Sequence, residues 1–245
     1  MDDNNLEKLV AHNSNLQELN IARCRVVTDE FVRYLSRTNI RLQHIDLTNC
    51  SSISIDSVTE LLENAGQSIK TLKAGGVRWS HGQNSVQRFT NAIANNCPSI
   101  EHLDISSSDT IRGNMVMKDV HFLPIVQKKP SILQVLKIRA LRGLSTEALL
   151  LALRQLAGLT SLDISWCTAV DDSVIQAIVS ACRNLRQLNI QNAKNVSGAS
   201  VQQLLKLQHL ESVNLQGCGD ISEDTKSYIY NVLRSRKRGL AETTL

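Results

Sequence analysis

Two histidine–aspartate pairs, His44–Asp46 and His102–Asp104, are the first residues whose types and spacing could do chemistry. Each pair is two positions apart, so on an extended strand both side chains share one face. An imidazole beside a carboxylate can serve as a general base or as part of a metal site. Six cysteines, Cys24, Cys50, Cys97, Cys167, Cys182 and Cys218, would add thiolate ligands or disulfides if they met. Whether any of these groups converge depends on the elements that carry them.

Those elements follow from a pattern that returns eight times. Its clearest copy is LTSLDISWCTAVDD, Leu159 to Asp172, which reads L-x-x-L-x-I-x-x-C, a short turn, and then the apolar-periodic segment SVIQAIVSAC. The spacing resembles the leucine-rich repeat signature, a short strand followed by a returning helix. Copies start at residues 16, 42, 69, 100, 133, 159, 185 and 210, giving spacings of 26, 27, 31, 33, 26, 26 and 25. The third copy, IKTLKAGGV, is degenerate at Gly75 and Gly76. Units of this length bury their apolar face only against their neighbours. The expected fold is therefore α/β, a right-handed leucine-rich repeat solenoid (horseshoe) with a parallel sheet on the concave face and helices on the convex face.

Residues 1–15, with Leu6, Leu9 and Val10 at helical spacing, read as a capping half-repeat, and 16–233 as eight repeats. Thr28 and Ser54, each with an acid close behind, read as helix N-caps. Tyr228, Ile229 and Val232 belong to a closing helix, and 234–245 loses periodicity and is expected to be a disordered basic tail. Aromatic residues are only 3% of the chain, so Leu, Ile and Val must fill the core. Of 27 basic and 23 acidic residues, four bases and one acid lie in the tail, which leaves the body at +1 and argues against nucleic-acid binding by the folded part. No run reaches the roughly 18 apolar residues that a membrane span needs. MDDNNLEKLV lacks an apolar signal region, so secretion is not expected.

The repeat register settles the opening question. Cys24, Cys50, Cys167 and Cys218 are each the ninth residue of a repeat, and Cys97 and Cys182 each fall three before one. Cysteines confined to two slots read as small buried hydrophobes, which suits a cytoplasmic or nuclear protein. The two histidine–aspartate pairs lie on repeats 2 and 4, two strand spacings or roughly 10 Å apart. Thr71 and Lys73 stand between them, too far and too cationic for ligands that sit about 2 Å from zinc. No metal, no cofactor and no catalytic residue is expected. No nucleophile elbow, P-loop, H-E-x-x-H or C-x-x-C is present.

Recognition of another protein is the remaining role. The third, fifth and seventh residues of each repeat face the concave side. The fifth-position column reads Asn20, Asp46, Lys73, Asp104, Lys137, Asp163, Asn189, Asn214, flanked by His44, His102, Arg139 and Gln187. Repeats 3 and 4 are about five and seven residues longer than the rest, and the excess is assigned between strand end and helix start, at 78–84 and 112–118. Those loops are expected side by side on one edge, presenting Arg78, Trp79, His81, Arg112, Met115, Met117 and Lys118, with Trp166 on the same rim. The tail adds RSRKR, an anionic-surface or nuclear-localisation cluster, and ETTL, where Thr243 and Leu245 fit a PDZ ligand.

The C-x-x-[IV]-[TSD]-[DE] turn, the 26-residue period and the extra cysteine before the next leucine resemble the cysteine-containing class of leucine-rich repeats. That class is known from the substrate-receptor half of F-box proteins and from F-box-less proteins similar to the yeast mitotic-exit antagonist. The resemblance implies a non-enzymatic substrate-recognition or regulatory subunit of a ubiquitin-ligase-related complex, with Skp/cullin-type partners. Fifteen residues ahead of the repeats are too few for an F-box, so docking through one is not expected. The alternative is a structural assembly factor held permanently in a larger complex.

Overall fold

The computed structural model describes the chain except residues 1, 39, 80–82, 108–116, 129–131 and 243–245, and gives the backbone alone at 83 and 238–242. Each copy of the pattern folds as a three-residue strand, a turn and a helix. The strands are β1 Glu18–Asn20, β2 His44–Asp46, β3 Thr71–Lys73, β4 His102–Asp104, β5 Val135–Lys137, β6 Ser161–Asp163, β7 Gln187–Asn189 and β8 Ser212–Asn214. They form one parallel sheet in chain order, each in register with the next. Between them run α1 Asp3–Ala11, α2 Asp29–Arg37, α3 Ile55–Ala65, α4 Gln83–Asn96, α5 Asp119–Lys128, α6 Thr146–Gln155, α7 Asp172–Ala181, α8 Gly198–Gln202 and α9 Glu223–Glu242. One continuous core of Leu, Ile and Val lies between sheet and helices.

The backbone leaves each strand through a fixed turn. The eighth residue has positive φ at Arg23, Asn49, Gly76, Ala140, Trp166, Asn192 and Gly217. This left-handed residue turns the chain outward while its N–H still reaches the next repeat, as Trp166 N–H does to the Gln191 carbonyl at 2.8 Å. At the ninth residue the cysteine thiols point back one repeat. Cys50, Cys167 and Cys218 donate to the carbonyls of Ile21, Ile138 and Ile190 at 3.0, 3.2 and 3.2 Å. In the second slot Cys182 Sγ lies 3.7 Å from the Leu156 carbonyl. None of the six cysteines is in a disulfide. Burial pushes the Cys167 and Cys182 thiols up to about 12.

Helix starts form a second set of ties. Thr28 and Ser54 cap α2 and α3 as their sequence suggests. The first acid of a helix then reaches the cap of the following one. Asp3 accepts from Thr28 N–H and Oγ1 at 2.9 and 2.6 Å, Asp29 from Ser54 N–H at 2.6 Å, Asp119 from Ser145 N–H and Oγ at 2.9 and 2.7 Å, and Asp172 from Ser197 N–H at 2.8 Å.

Two expectations need correction. The excess residues of repeats 3 and 4 are not a matched pair of loops. In repeats 1, 2, 5, 6, 7 and 8 the helix begins 13 residues after the first apolar residue; in repeat 4 it begins 19 after, but in repeat 3 only 14. Repeat 3 spends its excess on a longer α4, whose Val86, Phe89 and Ile93 keep one face buried over 14 residues. The tail is also not without structure at 234, because α9 continues to Glu242. Its buried stripe, Ile229 and Leu233, is extended by Arg236, which donates to the carbonyls of Leu207 and Leu205 at 3.0 and 2.5 Å. The same helix closes the sheet: Leu215 N–H, just past the edge strand of the described sheet, donates to the Tyr230 hydroxyl at 3.2 Å.

The left-handed row makes a pair of opposite outcomes. Ala140→Gly is expected to stabilise by about 1 kcal/mol, because glycine adopts that backbone without the Cβ penalty. Gly217→Ala is expected to destabilise, since its Cβ would lie 2.4 Å from Asn192 Oδ1. Urea denaturation midpoints read both. At pH 8 a maleimide is expected to label the half-exposed Cys24 in the native protein, and Cys167 and Cys182 only after unfolding.

Candidate functional site: the concave sheet

On each strand the middle residue points into the core and its two neighbours face outward. The fifth-position column forms a row across the sheet. Six of its members are fastened to their own backbone: Asn20, Asp46, Asp104, Asp163, Asn189 and Asn214 each accept the N–H two residues ahead, at 3.0 to 3.1 Å. This bond closes the strand end as an Asx turn. The other two members are Lys73 and Lys137. Lys73 Nζ lies 3.1 Å from Asp46 Oδ2, and Lys137 sits in register between Asp104 and Asp163. Asp163 gives its second oxygen to the Asn189 amide at 3.0 Å. The centre of the face is thus an alternating row, Asp46, Lys73, Asp104, Lys137, Asp163, in which the three acids and Lys73 are held by hydrogen bonds.

The electrostatics follow. Burial opposes the charge of Asp46, but hydrogen bonds from Thr48 and the Lys73 ammonium outweigh it and hold the carboxyl below the ordinary aspartate value. At Asp29 burial is likewise overcome by Ser54, Ser57 and Arg78, and at Asp172 by Ser197 and Ser200. Burial lowers the pKa of His102, helped by His44, Lys73 and Lys137 and opposed by Glu101. Burial and Lys118 lower His121, whose Nδ1 accepts the Lys118 N–H at 3.1 Å at the start of α5.

His44 and His102 stand two strand spacings apart, one on either side of Thr71, the spacing read from the register. His44 Nδ1 is 2.9 Å from Thr71 Oγ1. These residues, with Asn20, Asp46 and Lys73, line a shallow depression on the concave face. Among the described residues no three His, Cys, Asp or Glu side chains gather where an ion could be held.

The other expected contacts divide. Trp79 and Met117 are buried, 6% and 2% exposed, and cannot meet a partner as they stand. Trp79 packs edge-on against Phe89 with ring centroids 5.9 Å apart, under the degenerate third repeat. Arg78 is tied into the fold, its backbone bridging Ser54 and its guanidinium 3.1 Å from Asp29 Oδ2. Asp104, Lys137, Arg139, Asp163 and Trp166 are half-buried on the concave side, with the Arg139 guanidinium 5.9 Å from the Trp166 ring centroid. His81, Arg112, Met115, Thr243 and Leu245 lie outside the described residues. Sequence reading missed Val135, the half-exposed apolar member of the third-position column, because a lone valine carries no chemical signal.

With that geometry in place, comparison with known proteins bears on the class. A family profile described as Leucine Rich repeat matches residues 12–33. Internalin F of Listeria monocytogenes str. 4b F2365 aligns over 87% of this chain and 68% of its own, at 14% identity and a TM-score of 0.50. Internalin C2 of the same strain aligns over 81% and 80%, at 17% identity and 0.47. A chain of the yeast Rad7 and Elc1 complex aligns over 92% and 79%, at 13% identity and 0.42. The fold is an α/β leucine-rich repeat solenoid, and solenoids of this kind present an extended concave surface for binding other proteins. Among the described residues no helix is long and apolar enough to cross a membrane.

The shifted groups set a two-stage acid response. A histidine held below its ordinary value subtracts stability as pH falls below about 6.5, because the unfolded chain takes the proton first. A carboxyl held below its ordinary value stabilises fully above about 3.9 and loses that contribution as pH falls through its folded value. Urea midpoints are therefore expected to decline from about pH 6.5, through His102 and His121, and again below about pH 4, through Asp29, Asp46 and Asp172. Asp29→Asn combined with Asp172→Asn should lower stability at pH 7 and flatten only the lower limb. An unchanged lower limb contradicts the assignment.

Proposed function

We propose that this chain is a non-enzymatic recognition subunit that holds a folded protein partner against its concave sheet, in a regulatory or substrate-receptor role within a ubiquitin-ligase-related complex. One observation carries the binding part. The fifth-position acids of the central strands and Lys73 are already fixed by bonds to their own turns and to one another, so a partner meets a row that loses little conformational freedom on docking. The alternating signs of the row favour a partner of complementary pattern over a uniformly charged one. The ligase setting is supported by the resemblance of the cysteine turn to that of F-box receptors. Six cysteines outside any disulfide, several with raised pKa, suit the reducing cytoplasm or nucleus.

The test is affinity capture from cells with a tagged chain, comparing the native sequence with Val135→Glu. The new carboxylate stands in the middle of the concave floor beside Lys137, so folding stability should stay within about 0.5 kcal/mol. Loss of the captured protein in the variant is the expected result, and recovery of Skp- or cullin-type subunits by the native chain supports the setting. An identical captured set from both baits refutes the concave-face reading.

A further inference from the structure

The helices run in one sense along the stack, so their starts gather on one rim of the solenoid and their ends on the other. The start rim is acidic in its first turns, with Glu30 in α2, Glu147 in α6, Asp172 in α7, and Glu223 and Asp224 in α9. The end rim is basic. Arg37 and Arg154 lie in the last turns of α2 and α6, and Lys206 in the 3-10 turn Gln203–Lys206 that follows α8. Arg41 and Arg183 are exposed in the segments that lead from a helix to the next strand. Arg236 clamps α9 onto the carbonyls of Leu205 and Leu207, which brings the exposed Arg234 and Lys237 to the same rim. A nearly neutral body therefore has two sides of opposite charge.

Little on the end rim cancels its cations. Glu63 is held by Arg88, and Glu211 by Arg186 at 2.7 Å. Among the described residues that leaves Glu101, just ahead of β4, as the acid facing them. The helix ends do not account for the row either. Each carries about half a negative charge, and Arg41, Arg183, Arg234 and Lys237 stand in no last turn. The start rim is too distant to matter. A helix of 10 residues such as α6 is about 15 Å long, against a screening length of about 8 Å at physiological salt.

The layout selects the partner. Cations recur from repeat 1 to repeat 8 on one side of the stack, where neighbouring helices lie about 10 Å apart. A straight nucleic-acid duplex follows only a short part of such a curved row. A bilayer is a plane that meets the whole side, and its mobile lipids bring an anionic headgroup to each cation. Ile132, exposed on the same rim ahead of β5, adds an apolar side chain for the headgroup layer. We propose that the helix-end rim docks on an anionic phospholipid surface, chiefly through Arg154, Arg183, Lys206, Arg234 and Lys237. The concave sheet lies on a different side and stays open, so the inference stands independently of the concave-face reading.

Co-sedimentation of the full chain with phosphatidylcholine vesicles, with and without phosphatidylserine, tests it. The native chain is expected to bind the phosphatidylserine vesicles alone, and to leave them as salt rises. The triple variant Arg154→Gln, Arg183→Gln, Lys206→Gln should bind at least about tenfold more weakly. A control triple on the start rim, Arg25→Gln, Arg142→Gln, Lys194→Gln, removes the same charge and should bind within about twofold of native. All six side chains are exposed, so both triples should melt with the native chain. Arg183→Glu, outside any helix, is a second variant expected to weaken binding. Equal losses in the two triples, or no binding of phosphatidylserine vesicles by the native chain, overturn the proposal. So does a duplex oligonucleotide or polyglutamate that strips the protein from the vesicles at matched charge. If the rim triple loses the vesicles yet captures the same cellular protein as the native chain, the two surfaces act separately, as proposed.

Discussion

Every described strand has three residues, and no three-residue strand is stable alone. What holds the structure is the exchange of backbone and side-chain hydrogen bonds between each repeat and the next, over a shared apolar core. Three rows carry that exchange. Sheet N–H groups reach the following strand, as Ile21 N–H does to the Asp46 carbonyl at 3.0 Å. Cysteine thiols reach back to the preceding strand's isoleucine carbonyl. Acids at the helix starts hold the cap of the helix that follows. The last strand shows the same logic by substitution, with Tyr230 meeting Leu215 at the edge of the described sheet.

These ties explain why the concave face looks as it does. Asp and Asn recur at the fifth position because they close the turn, and their place on the concave face is a consequence of that structural task. Lysine at this position, in repeats 3 and 5, does not make that bond; Lys73 pairs instead with the neighbouring acid. The row is therefore preorganised and nearly neutral. Three positions leave the pattern: Val135 in the third column, Arg139 in the seventh and Trp166 at the turn.

The sequence made the stacking order legible because leucine spacing is set by the core, which tolerates little drift. The same spacing places His44, Thr71 and His102 on adjacent strands, as the register has them. Loops and ends were read less well. Trp79 looked like an interface residue by type, yet the weak third strand and Phe89 take it into the core. The extra residues of repeat 3 were assigned to a loop because a longer helix preserves the same strand register and so leaves the repeat spacing ambiguous. The basic tail read as unstructured, since Arg236 signals charge in sequence and a carbonyl clamp only in space. The left-handed row went unnoticed because arginine, alanine and tryptophan there mask the asparagine–glycine signature.

The central claim is that bonds between successive repeats, and not the repeats themselves, hold the stack. Hydrogen–deuterium exchange on Asp119→Ala tests it most directly, since that change removes the Asp119 tie to Ser145 between repeats 4 and 5 and leaves every strand sequence intact. The account expects protection to fall across strands on both sides of the broken tie, with β3 and β6 affected along with β4 and β5. Loss confined to the amides around Ser145, with all strands protected as before, would contradict it.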